Sequence, residues 1–160
     1  MRFLRITTLI CLAFLIVPMI SFGQTQAQKD ADEIKALILD EQSKANAGNY
    51  ENNYSSEGAL EFWSSGGLMV EIQPDGRDFN GGEQNLSRKH IQVISLVPGK
   101  AAVAYYYSEG SIKPKNADAV KVYRTRVSQT FIKEGNDWKI RTTHWSAMSG
   151  GSGTTQVAID

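Results

Sequence analysis

Two runs of β-branched and aromatic residues near the end of the chain, Arg126 to Ile132 and Trp138 to Trp145, are separated by Lys133 and the break Glu134-Gly135-Asn136-Asp137. That break is a cluster of turn formers, so the stretch Tyr123 to Ser146 reads as two strands folded back on each other. With Lys133 opposite Trp138, strand alternation sets Phe131 beside Ile140, Gln129 beside Thr142, Val127 beside His144 and Thr125 beside Ser146. One face is then apolar at the turn and polar toward His144. The other carries Arg124, Arg126, Ser128, Thr130, Arg141 and Trp145.

A chain of 160 residues holds one ordinary core, so a single domain is expected. Its leading segment stands apart. Arg2 and Arg5 precede an apolar run from Ile6 to Ile20, followed by the small residues of Ser21-Phe22-Gly23, the layout of a secretory signal peptide over residues 1–23. Cleavage after Gly23 is expected, with Ala27 as the other option. The run is short for a transmembrane helix, which needs about 20 apolar residues. The reading is therefore export, to the periplasm or the extracellular space, with no membrane attachment after cleavage.

The one cysteine, Cys11, falls within the removed segment, which excludes disulfides and thiol chemistry from the mature domain. Removing Arg2 and Arg5 from the 17 basic residues leaves 15 against 17 acidic ones, a charge of −2. Such a balance argues against nucleic acid or an anionic membrane as partner.

After a tether over residues 24–29, Asp30 and Glu33 make a capping box for an amphipathic helix. Ile34, Leu37, Ile38 and Ala45 mark its apolar stripe and Gly48 its stop. Asn49 to Tyr54 could add one further turn. Ala59 to Trp63 and Leu68 to Ile72 read as short strands, and Gln73 to Glu83 as a loop. His90 to Val97 and Lys100 to Ile112 form a second ribbon across Pro98-Gly99, with Leu96 opposite Ala101 and His90 opposite Tyr107. The Gly- and Ser-rich residues 149–160 are a flexible tail. Helix first, then an antiparallel meander, is an α+β order: a cone-shaped curved antiparallel sheet wrapped around an N-terminal helix, leaving a pocket where the wrap is incomplete.

The string TRVSQTFIKEGNDWKIRTTHWS, with its Trp138-x-Ile140-x3-His144-x-Ser146 pattern, resembles the last two strands of the nuclear transport factor 2-like superfamily. The likeness is to its SnoaL-like members, of ketosteroid-isomerase-like fold, and to the association domain of calcium/calmodulin-dependent kinase. A leading helix ending in Gly48-Asn49, Tyr54 and the segment FWSSGG at 62–67 extend the resemblance over most of residues 30–148. It implies a pocket under a curved sheet, with homodimers formed through the sheet's outer face. Members include isomerases, cyclases, dehydratases, non-catalytic binders and assembly domains. The ketosteroid isomerase carboxylates have no matching motif here. The Trp-Ile-His-Ser pattern carries over with Trp138 and Ile140 as core and His144 and Ser146 at the pocket.

Candidate ligand-binding residues are His90, Tyr105, Tyr107, Thr125, Gln129, His144 and Ser146, which share the inner face if even positions of the 105–130 ribbon stand beside even ones, together with Trp63 as an aromatic anchor. The plainer reading is that each is locally bonded packing mass. Two histidines without a cysteine or carboxylate pattern do not make a zinc spacing, and no cofactor loop or nucleophile elbow is present, so neither metal nor cofactor is expected. Three functions follow. The preferred one, because the sequence supplies a pocket and no complete catalytic set, is an exported pocket protein that binds a small, partly apolar molecule without turnover. The second is an isomerase, cyclase or dehydratase using His144 and Tyr107, or an acid such as Glu61 or Glu109. The third is an oligomerisation module working through the outer sheet face.

Overall fold

The computed structural model describes residues 24–65, 68–76, 82–115 and 117–148. The expected leader at 1–23 and tail at 149–160 lie outside them. One helix, α1 (Gln26–Asn46), is followed by β1 (Ala59–Phe62), β2 (Val70–Ile72), β3 (Glu83–Val97), β4 (Ala101–Lys113), β5 (Val120–Glu134) and β6 (Asp137–Ala147).

The helix starts earlier than its Asp30-Glu33 motif predicts, so residues 26–29 are its first turn and not a tether. Thr25 and Gln28 form the capping box: Thr25 Oγ1 accepts the Gln28 N–H and Gln28 Oε1 accepts the Thr25 N–H. Asp30 is left for another task. Buried inside the helix, its Oδ2 accepts the Gly99 N–H at 2.8 Å and the Ser95 hydroxyl at 2.7 Å, fastening α1 to the β3–β4 turn. At the far end Gly48 takes φ +80, a conformation that costs glycine nothing, and the helix stops as expected. Asn49 to Tyr54 forms no further turn; Tyr54 instead makes a parallel bridge to Ile140.

The strands form one curved, unclosed sheet in the order β2-β1-β6-β5-β4-β3. It is mixed, because β1 runs parallel to β6 while every other pair is antiparallel. The sheet buries one face against α1, which lies over β3 and β4. Ile34 and Ile38 of the helix meet Ala102, Ala104, Tyr106, Val127, Phe131, Trp138 and Ile140 in the core, with Trp145 packed beside them. This is hydrophobic burial of a helix stripe on the alternate positions of β4 and β5.

Edge strand β3 is closed by the same helix. Asn46 Nδ2 donates to the Leu86 carbonyl at 2.8 Å while its Oδ1 accepts the Leu86 N–H at 3.0 Å, and Gln42 Oε1 accepts the Arg88 N–H. Side-chain amides thus occupy backbone groups that an unprotected edge would offer to another strand.

The terminal ribbon begins in the expected register and then slips, whereas the other departs from it already at the turn, where Val97 and not Leu96 stands opposite Ala101. Lys133 pairs with Trp138 and Phe131 with Ile140, but beyond Arg141 the pairing shifts by one residue, giving Thr130–Thr142, Gln129–Thr143 and Ser128–His144. In the other ribbon Ile94–Val103 and Gln92–Tyr105 hold, after which Lys89 replaces His90 opposite Tyr107. His90 sits at that irregularity with φ +54. An extra residue in one strand exchanges the faces of everything after it.

Candidate functional site

The two slips redistribute the expected site residues between the faces of the sheet. Between β4 and β5 odd positions stand opposite even ones, as in Tyr105–Ser128 and Ala104–Gln129. Thr125 and Gln129 lie buried on the helix-covered face. Tyr105 and Tyr107 lie on the open face, 49% and 38% exposed. His144, placed inside by the simple register, is exposed on the open face, where its ring meets Phe62 edge-on at 5.5 Å. His90 is exposed too, edge-on to Tyr107 at 6.0 Å. Ser146 pairs with Arg126, an exposed residue of the same face. Trp145 makes the opposite move, from the expected outer face to the inner one, where it packs at right angles to Tyr106. The structure therefore does not gather His90, Tyr105, Tyr107 and His144 with Thr125 and Gln129.

The helix-covered face holds a different polar set. Tyr106 donates its hydroxyl to Gln129 Oε1 at 2.7 Å, and Gln129 Nε2 reaches Thr143 Oγ1 at 3.4 Å. Burial pushes the Tyr106 phenol well above its ordinary range, so it stays a proton donor. Glu61, opposite Thr143 on β1, is 2% exposed and accepts from the Tyr54 hydroxyl and the Trp63 indole N–H, each at 3.0 Å. Trp63 thus anchors a carboxylate with its polar edge while its ring remains 43% exposed.

A third element of this face is Arg88, whose Nη1 donates to the Ile38 carbonyl and to Glu41 at 3.0 Å, with the guanidinium over the Tyr106 ring. Burial opposes its charge, but Tyr106 and Glu41 outweigh burial and hold it firmly protonated. Ser108 stands directly opposite Arg88, fully buried, and its hydroxyl has no hydrogen-bond partner. Such an orphan is uncommon, since buried polar atoms are normally paired.

Sequence reasoning missed Arg88, Ser108 and Thr143, and the signals were faint. Arg88 looks like any strand arginine until the helix supplies Glu41. Thr143 reads as outward until Arg141 is counted as an extra residue. Glu61 is a candidate acid on sequence grounds, and its inward placement is legible too, because Ala59-x-Glu61 alternates with Leu60 and Phe62 in a strand too short to turn over.

A carboxylate beside His144 would make an acid–base pair. The pairing of Glu61 with Thr143, and of Phe62 with His144, puts the two groups on opposite faces of the sheet. Among the described residues no three His, Cys, Asp or Glu side chains converge as metal ligands.

No protein-family model and no curated protein matches the chain. Solved structures do. A nuclear transport factor 2-like protein of unknown function from Pseudomonas putida superposes with a TM-score of 0.58 at 14% identity, over 80% of this chain and 93% of that one. A protein from Exiguobacterium sibiricum, described as a Ca/calmodulin-dependent kinase II association domain, gives 0.59 at 13% identity over 81% and 100%. The kinase II hub homology domain of Chlamydomonas reinhardtii gives 0.52 at 18% identity over 75% and 98%. At these identities the likeness is one of fold, the one that the terminal ribbon resembles in sequence.

Proposed function

We propose, on the nuclear transport factor 2-like fold that this chain adopts, that the domain is a self-pairing module whose contact surface is the open face of the sheet. One observation carries this reading: on the open face, exposed apolar and aromatic residues of β1, β3 and β4 share cross-strand rows with small polar residues and His144 on β5 and β6. Ile94, Val103, Thr130, Thr142 and Leu60 form one row; Gln92, Tyr105, Ser128, His144 and Phe62 form the next. Ile94 is 54% exposed and Phe62 46%. Apolar side chains of β1, β3 and β4 flank a low polar middle and are bordered at one end by Arg124, Arg126 and Glu109, which leaves apolar area for a partner to cover.

A second copy is the occupant that fits. Ser128, Thr130 and Thr142 keep the middle of the face low, so two such sheets can approach closely with their aromatics interleaved. The small charge of −2 expected after loss of Arg2 and Arg5 raises little electrostatic barrier between copies. A two-fold pair sets Glu109 and the arginines of each copy within the same rim, where opposite charges can meet. The names of the Exiguobacterium and Chlamydomonas proteins, an association domain and a hub domain, agree with assembly.

The test is sedimentation equilibrium of the full chain beside Tyr105→Glu and Ile94→Glu. A dimer for the parent and monomers with unchanged circular dichroism for both variants support the reading. A parent that stays monomeric at concentrations on the order of 100 μM, well above the ~1 μM Kd of a modest interface, overturns it.

One observation favours a second reading, the binding of a small, partly apolar molecule on the helix-covered face. Ser108 Oγ lacks a partner beside a charged arginine, and Trp145 and Tyr106 supply apolar walls. A ligand with a hydrogen-bonding head would satisfy the orphan once side chains move aside to admit it. Native mass spectrometry of protein purified from its own compartment reads both proposals, since it weighs the subunit number and any retained molecule together. The same spectrum tests export: a mass lacking residues 1–23 or 1–27 supports it, and an intact amino terminus refutes it.

A further inference from the structure

Both histidines of the chain stand on the open face, each edge-on to an aromatic ring: His144 against Phe62 and His90 against Tyr107. We infer that they make self-pairing of the domain sensitive to pH, so that pairs form at neutral pH and separate on mild acidification. The inference rests on the open face being the self-pairing surface.

The surroundings of each ring set the sign. His144 faces Phe62 on β1, Ser128 on β5, and Thr142 and Ser146 on its own strand. The charged groups flanking it are Arg126 and the Arg141–Glu57 ion pair. Arg126 lies opposite Ser146, and Arg141 donates to the Gly58 carbonyl with Glu57 beside it. Glu61, the only carboxylate of β1, points to the other face. His90 has the Tyr107 ring edge-on to it at 6.0 Å and the Lys89–Glu109 ion pair beside it, with Arg124 behind Glu109. In the single subunit both imidazoles are exposed to water. Covered by a second copy, each is taken out of water, and desolvation disfavours the charged form. Arg126 adds like-charge repulsion at His144, whereas Glu109 partly offsets the effect at His90. His144 is therefore the stronger sensor.

Linkage then fixes the direction. Pairing prefers the neutral imidazole, so it is strongest above the ordinary histidine range near ~6.5 and weakens as pH falls through it. At about one unit below that range each excluded proton weakens pairing roughly tenfold. A two-fold pair contains each histidine twice, so His144 alone can weaken it by up to ~100-fold.

The experiment is sedimentation equilibrium of the full chain from pH 8 to pH 5.5 at constant ionic strength, with circular dichroism at each pH, for the parent, His144→Gln, His90→Gln and the double variant. The expected result is a parent whose Kd rises tenfold or more on acidification with its fold intact, a flatter profile for His144→Gln, and a flat one for the double variant. A parent that pairs with the same Kd at both ends of the range overturns the inference while leaving self-pairing in place. So does a double variant that keeps the parent's pH dependence. A parent that never pairs sinks the self-pairing proposal itself, and the inference falls with it.

Discussion

The Asp30 carboxylate accepts the backbone N–H of Gly99 at 2.8 Å, tying the second turn of the only described helix to the tip of the β3–β4 ribbon. The same oxygen accepts the Ser95 hydroxyl and the other takes the Gln26 amide, so a buried charge is fully solvated by protein donors. Replacing Asp30 with Ala leaves those donors without a partner in a closed site. The expected loss is about 2–3 kcal/mol in urea unfolding, with a smaller loss for Asp30→Asn. A change in the alanine variant within ~0.5 kcal/mol, the size of an ordinary surface substitution, would show that the contact holds nothing together.

Two carboxyls of the helix give the protein an acid limit. At Asp30 burial alone would raise the carboxyl, but the bonds from Gly99, Gln26 and Ser95 outweigh it and hold it below its ordinary range. At Glu33 the Lys133 ammonium and the Trp138 indole N–H do the same. Folded values below unfolded ones mean that this stability is present above the unfolded carboxyl range near ~4 and is lost as pH falls through the folded values. The midpoint in urea should hold from pH 7 to 5 and drop between pH 4 and 3. Glu33→Gln should shallow that drop, and a parent-like drop in this variant would contradict the assignment.

Asn46 acts as a substitute strand for Leu86. Asn46→Ala should cost about 1–2 kcal/mol, from two lost hydrogen bonds to a partly buried edge, and should raise light scattering on warming as the freed edge of β3 recruits other chains. Equal stability and equal scattering would mean that water replaces the amide at no cost.

Gly110 lies in β4 at φ +148, and a Cβ there would stand 2.0 Å from the Asn85 carbonyl oxygen of β3. No side chain can be inserted without separating the strands. Gly110→Ala should therefore lower the thermal midpoint by several degrees, corresponding to roughly 1–3 kcal/mol of backbone strain. An unchanged midpoint would show that the β3–β4 pairing yields at that point without strain.

The turn end of the terminal ribbon was readable because its contrasts are local. Glu134-Gly135 demands a tight turn, and Phe131, Trp138 and Ile140 have no acceptable place except one buried face. Gly48 ended the helix for an equally local reason. Past Arg141 the contrast disappears: Thr142, Thr143 and His144 give no apolar marker of which one must be inside. The open face was legible only in outline for the same reason, since Tyr105 and Tyr106 are equal candidates for burial until the helix arrives to cover one of them.

Local chemistry was enough to specify the helix stripe, the two turns, the α+β order and a ribbon closed by Trp138 and Ile140, because turn geometry and side-chain alternation act between near neighbours. Tertiary packing decided that β1 lies parallel to β6, that Asp30 serves a turn far along the chain, and that His144 faces outward. Each of those depends on a contact between distant segments, and in a strand one added residue reverses every face beyond it, a difference that a run of threonines does not encode.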